Sequence, residues 1–130
     1  MKLKIFGTIS LLVCALAFGS LSVSADGVKK RIRFAKGKHS ATTAGSIVRG
    51  DSDTYTVAAK KGQKITVKIT SPEDNAVFQV KDAGGKFLQG AGEGDDATDW
   101  TGNVARAGNY KIIVGGTRGN ASYKLSVSIK

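Results

Sequence analysis

The chain has 130 residues, with 20 Lys and Arg against 10 Asp and Glu, a formal net charge of +10, and a single cysteine. That length suits one domain with a modest core, and one cysteine excludes a disulfide framework or a cysteine-built metal cluster. The positive excess fits nucleic acid, anionic lipid, an acidic glycan or an acidic protein cleft as partner, and charge alone does not choose among them.

Met1-Lys2-Leu3-Lys4 sets two cations ahead of an apolar run from Ile5 through Phe18, and Val23-Ser24-Ala25 puts small residues before Asp26. This is the pattern of a secretory signal, residues 1–25, cleaved after Ala25. The run falls short of the roughly 20 residues a membrane span needs. Cys14 lies inside it and leaves with it, and Val13 is bulkier than the small residue expected before a lipidated cysteine. The expectation is an exported domain, residues 26–130, with no thiol, no disulfide and no membrane anchor, relying on its core.

The basic stretch Lys29-Lys30-Arg31-Ile32-Arg33, with Lys36 and Lys38, comes next. Alternating Ile32 and Phe34 predict an edge strand with its charges outward, where lysines also discourage edge-to-edge pairing. His39, the only histidine, reads as part of an exposed turn; without a second His or a Cys it makes neither a zinc site nor a nucleophile pair. Ala44, Ser46 and Val48 give a weak alternation. Arg49-Gly50-Asp51 spells an adhesion tripeptide but reads as a turn into Asp53-Thr54-Tyr55. Tyr55/Val57/Ala59 and Phe78/Val80 alternate weakly too, and clearer alternation comes at Ile65/Val67/Ile69, Tyr110/Ile112/Val114 and Tyr123/Leu125/Val127/Ile129. A period of two sends one set of side chains to a core and the other to water. Lys61-Gly62, Ser71-Pro72-Glu73-Asp74-Asn75, Gly84-Gly85, Ala107-Gly108-Asn109 and Gly115-Gly116 punctuate the runs. No window has a helical apolar period. The fold class is therefore all-β, a two-sheet antiparallel sandwich of about eight strands.

Residues 89–99 form an acidic, Gly-rich loop with Glu93, Asp95, Asp96 and Asp99. Its carboxylates could offer oxygens to calcium, although the EF-hand spacing is lacking. They could equally be solvated, cap a turn, or dock a basic partner. Trp100 follows directly, either a core residue or a platform for a sugar. No carboxylates are seen to flank a cleft, and no glycine loop leads into a phosphate-cradling helix, so an enzyme is not expected. Scattered cations, few aromatics and export argue against nucleic acid.

Gly115-Gly116-Thr117-Arg118-Gly119-Asn120 joins the last two apolar alternations and carries one long cation at its tip. Asn120-Ala121-Ser122 also matches the N-glycosylation acceptor pattern. Taken together, Ile32-Arg33-Phe34-Ala35-Lys36-Gly37, Asp53-Thr54-Tyr55-Thr56, Ala59-Lys60-Lys61-Gly62-Gln63-Lys64, Gly108-Asn109-Tyr110, Thr117-Arg118 and Tyr123-Lys124-Leu125-Ser126-Val127 resemble the periplasmic inhibitors of goose-type (g-type) lysozyme. They also resemble the pre-peptidase C-terminal β-sandwich modules of secreted enzymes. The first resemblance implies a lysozyme as protein partner, no cofactor, and a plug mechanism. Lysozymes cleave peptidoglycan with a carboxylic acid in a cleft, and a protruding guanidinium suits a carboxylate because it stays charged and bonds in parallel pairs. The partner-binding set it implies is Arg118 and Thr117 at the tip, with Asn120, Asp51 and Tyr55 around them. A salt link from Arg118 to its own domain would leave nothing to insert. This chain departs from the inhibitors in having Asp51 where they carry an aromatic residue after glycine, and Asn120-Ala121-Ser122 where they carry a second basic residue. The second resemblance implies a non-catalytic module that binds glycan or calcium. A homodimer is compatible with either.

Overall fold

The computed structural model describes residues 27–130, and the expected signal peptide with Cys14 lies outside them. The alternating runs from Ala44 onward fall in strands, Ile32/Phe34 lies outside one, and Asp99–Asn103 adds a strand that alternation does not mark: β1 (Lys29–Arg31), β2 (Ser40–Ile47), β3 (Ser52–Ala59), β4 (Lys64–Thr70), β5 (Ala76–Lys81), β6 (Asp99–Asn103), β7 (Gly108–Gly116) and β8 (Ala121–Ile129). They form two four-stranded sheets, ordered β1-β3-β7-β5 and β2-β8-β4-β6. The pairings are antiparallel except one: β1 runs parallel to β3, with Lys29 opposite Thr54 and Arg31 opposite Thr56. The chain between them visits the other sheet as β2, so no hairpin forces them into opposite directions.

The core lies between the sheets. Val57, Val67, Phe78, Val80, Ile112, Val114 and Leu125 are each 0% exposed, and burying each is worth about 1.5–3 kcal/mol. Trp100 joins them from β6, with its indole N–H donating to the Gln89 carbonyl at 2.9 Å. Ile32 and Phe34 lie just past β1 and pack on the core from its margin. The basic stretch does supply an edge strand, but a shorter one than Ile32 and Phe34 suggest. His39 is exposed.

One alternation has the opposite phase. Ala44, Ser46 and Val48 face solvent, and Ala41, Thr43, Gly45 and Ile47 turn inward. Hydrophobicity could not reveal this, because Thr43 and Gly45 are not apolar. Gly45 is small because Tyr123 occupies the space beside it: a Cβ there would meet the tyrosine hydroxyl at 2.5 Å.

Residues 82–98 return from β5 to β6 and cover the open edge of β5. Leu88 N–H donates to Val80 O, Val80 N–H to Ala91 O and Phe78 N–H to Ala97 O. An unpaired strand edge is thereby closed.

Candidate functional site

The strand ends fix which turns are neighbours. β2 leads to β3, β4 to β5 and β7 to β8 at one end of the sandwich, gathering residues 48–51, 71–75 and 117–120. The Arg118 turn is tied to both of the others. Asn75, only 2% exposed, donates from Nδ2 to the carbonyl of Arg118 at 3.2 Å and to that of Asn120 at 2.9 Å. Its own carbonyl accepts from Thr117 N–H at 2.9 Å, and its backbone N–H donates to Ser71 Oγ at 3.0 Å. Asn120 Oδ1 accepts from Arg49 N–H at 2.8 Å, joining the turn to residues 48–51. Gly119, at φ 62°, supplies the left-handed residue that closes the bend. A cleft of about 340 Å³ opens between the three turns, lined among others by Val48, Glu73, Asn75 and Asn120.

Arg118 is exposed at this rim. Its Nη2 donates to the backbone carbonyl of Glu73 at 2.6 Å. That partner is a neutral carbonyl and not a carboxylate, so the guanidinium keeps its charge uncompensated. Of the five N–H donors of a guanidinium, one is assigned by this contact, which aims the group without exhausting it.

The other expected site residues separate into two groups. Thr117, Asn120 and Asp51 lie in the turns just described, with Asp51 N–H closing its own turn on Val48 O at 2.9 Å. Tyr55 does not belong with them: it is 2% exposed and sits in the core, where no partner can touch it. Its hydroxyl lies 2.6 Å from that of Tyr123, which donates to Asp53 Oδ2 at 2.6 Å. Asp53 Oδ1 accepts from Val28 N–H at 2.9 Å. Burial, then the Asp53 carboxylate and the Tyr55 hydroxyl, hold the Tyr123 hydroxyl well above the usual tyrosine range. Asp53-Thr54-Tyr55 is thus a structural signature, a polar clasp joining the two sheets and the N-terminal segment.

The acidic loop does not assemble a cation site. Asp95 caps its own turn, accepting from Gly92 N–H at 2.7 Å. Asp99 reaches Lys68 at 4.0 Å on the exposed face of the second sheet. Glu93 and Asp96 are exposed, and among the described residues no three His, Cys, Asp or Glu side chains converge as a metal would require. Sequence reasoning missed Asn75 as the clamp, although a signal was present: an Asn ending a turn, directly before an apolar strand, is suited to bond backbone groups.

Among solved structures, the chain is similar to the periplasmic lysozyme inhibitor of g-type lysozyme PliG from Aeromonas hydrophila, at 34% identity and a TM-score of 0.66, over 81% of this chain and 99% of that one. The chain belongs to the periplasmic inhibitors of g-type lysozyme. It is also 41% identical over 71 residues to the inhibitor of g-type lysozyme of Escherichia coli (strain K12), a match covering 55% of this chain and 51% of that protein, so about half that relative's length is spanned. The pre-peptidase C-terminal domain of a Bacillus anthracis collagenase shares the fold, with a TM-score of 0.56 at 21% identity over 78% of this chain and 94% of that one. No family model matches the chain.

Proposed function

We propose that this chain is a periplasmic protein inhibitor of g-type lysozyme that blocks the catalytic cleft with the Thr117–Asn120 turn. Membership of the inhibitor family supports the activity. The single observation that supports the mechanism is the clamp: Asn75 and Asn120 hold a turn whose exposed guanidinium has no carboxylate of its own. A turn ordered before encounter loses little entropy on binding. A guanidinium that meets a buried acid forms charge-assisted bonds, and breaking such a pair costs about 2–5 kcal/mol. Thr117 flanks the tip, and Asp51 stands on the neighbouring turn, where its charge would select against a partner surface that is itself acidic.

The test is a cell-wall lysis assay with g-type lysozyme, titrated with the purified protein. Inhibition at micromolar concentration or below is expected, and Arg118→Ala should weaken it at least about tenfold, or about 1.4 kcal/mol. Absence of inhibition defeats the function. Full inhibition by Arg118→Ala defeats the mechanism alone.

A further inference from the structure

The outer face of the first sheet carries an ordered row that inhibition does not use. Strand register aligns Arg31 of β1 with Thr56 of β3, Thr56 with Lys111 of β7, Lys111 with Lys81 of β5, and Lys81 with Phe87 on the covering segment. Partners across a ladder point to the same face. Tyr55, Ile112 and Val80, the chain neighbours of Thr56, Lys111 and Lys81, are buried, so the row itself is outward. It crosses four strand gaps, about 19 Å at roughly 4.8 Å each.

Three features make the row more than scattered charge. Arg31 Nη1 donates to Asn109 Oδ1 at 3.1 Å, which draws the guanidinium in from the sheet edge over the face. Lys81 Nζ stands 4.9 Å from the centroid of the exposed Phe87 ring, so a cation caps one face of the aromatic. Among the described residues the one ion pair is Lys68–Asp99 on the other sheet, which leaves Arg31, Lys111 and Lys81 without a carboxylate partner. Asp82, next to Lys81 in the chain, is turned into its own loop by Gly84 N–H and Lys86 N–H, both at 2.9 Å.

We infer that this row docks a linear polyanion, and specifically the carboxylate-bearing glycan–peptide polymer of the cell wall. A file of cations without carboxylate partners across a sheet face complements a strand of spaced anions. A planar guanidinium recognises carboxylates in pairs, and the ring edge of Phe87 offers apolar contact to a sugar. The row crosses β3 and β7 mid-strand and meets the last residues of β1 and β5, away from the end of the sandwich that carries the Arg118 turn, so both surfaces can be occupied together. Such a device would keep an inhibitor on the polymer that lysozyme attacks. The wall as partner follows from the periplasmic family and does not depend on how inhibition works.

The test sediments the purified protein, expressed from the full chain, with isolated peptidoglycan sacculi at low salt, and separately with phosphatidylglycerol vesicles. Lys81→Glu/Lys111→Glu is compared with Lys64→Glu/Lys124→Glu, which makes the same charge change on exposed positions of the other sheet. Binding to sacculi is expected, abolished by high salt because exposed charges are screened. It should weaken about tenfold or more in the first double variant and less than about threefold in the second, with lysozyme inhibition retained by both. Should a charge reversal fail to fold, Lys81→Gln/Lys111→Gln replaces it, with the same ordering expected. The proposal is overturned by no sedimentation, by equal loss in the two variants, by stronger binding to the vesicles, or by loss of inhibition in the first variant alone, which would make the row part of the lysozyme interface.

Discussion

Asn75 is where one side chain does most for the site. It is buried, it has no charge to attract notice, and its amide spans the two carbonyls that bracket Gly119. Removing the amide leaves those carbonyls without a donor and a small void beneath the turn. Asn75→Ala should destabilise the fold by about 1–3 kcal/mol, measured as a lower urea midpoint at unchanged slope. It should also weaken lysozyme inhibition well below the melting temperature, although Arg118 is intact. Retained inhibition alongside the stability loss would mean that the turn needs no clamp. Arg118 itself shows how little a tip residue says in isolation. Its bond to the Glu73 carbonyl separates a pre-aimed cation from one neutralised at home, and only coordinates distinguish the two.

At the scale of the element, β2 carries the instructive case. β3, β4, β5, β7 and β8 announce their inner faces with Val, Ile, Leu, Tyr or Phe. β2 lines its inner face with Ala41, Thr43, Gly45 and Ile47 and places Ala44 and Ser46 outside, with Val48 exposed just past its end. The phase is set by β8: Gly45 lies opposite Tyr123 in the ladder, and the tyrosine ring fills the volume a β2 side chain would take. Gly45→Ala should therefore lower stability by about 1–3 kcal/mol through overpacking. Ala44→Thr, one residue away, should stay within about 0.5 kcal/mol. Thermal melts of the two variants check this, and the reverse order would restore the phase that hydrophobicity alone suggests. The covering segment 82–98 illustrates a second point about elements. Its acids look like a ligand set in the sequence, but its backbone closes the edge of β5, and its carboxylates either cap turns or face water.

At the scale of the molecule, the two sheets are joined by apolar packing and by one polar clasp. Tyr55, Tyr123 and Asp53 bond in series across the core, and Val28 ties the N-terminal segment to the same carboxylate. The clasp predicts an alkaline response. An unfolded chain releases the Tyr123 proton near the ordinary value of 10, whereas the folded state retains it. Above that pH the native state binds more protons than the unfolded one, so stability falls as pH rises. Below it the contribution is fully present. Melting temperatures taken from pH 8 to 11 should decline more steeply above 10 for the protein than for Tyr123→Phe. Parallel declines would mean that the clasp exerts no such hold.

The sequence by itself determined the class of the fold and most of its inner surface. Period-two alternation is a local property, and large apolar residues at every second position leave only one face to bury. It also determined that Thr117-Arg118 is a turn tip, because glycines and Asn120 flank it between two such runs. Tertiary structure alone decided the parallel pairing of β1, the phase of β2, the burial of Tyr55 and the scatter of the acidic loop. It also decided the clamp by Asn75 and the cation row from Arg31 to Phe87. Each of these depends on which residues from distant parts of the chain share a volume or a ladder position. Asn75 and Asn120 are 45 residues apart along the chain, and no pattern within one segment records what lies across the sheet from it.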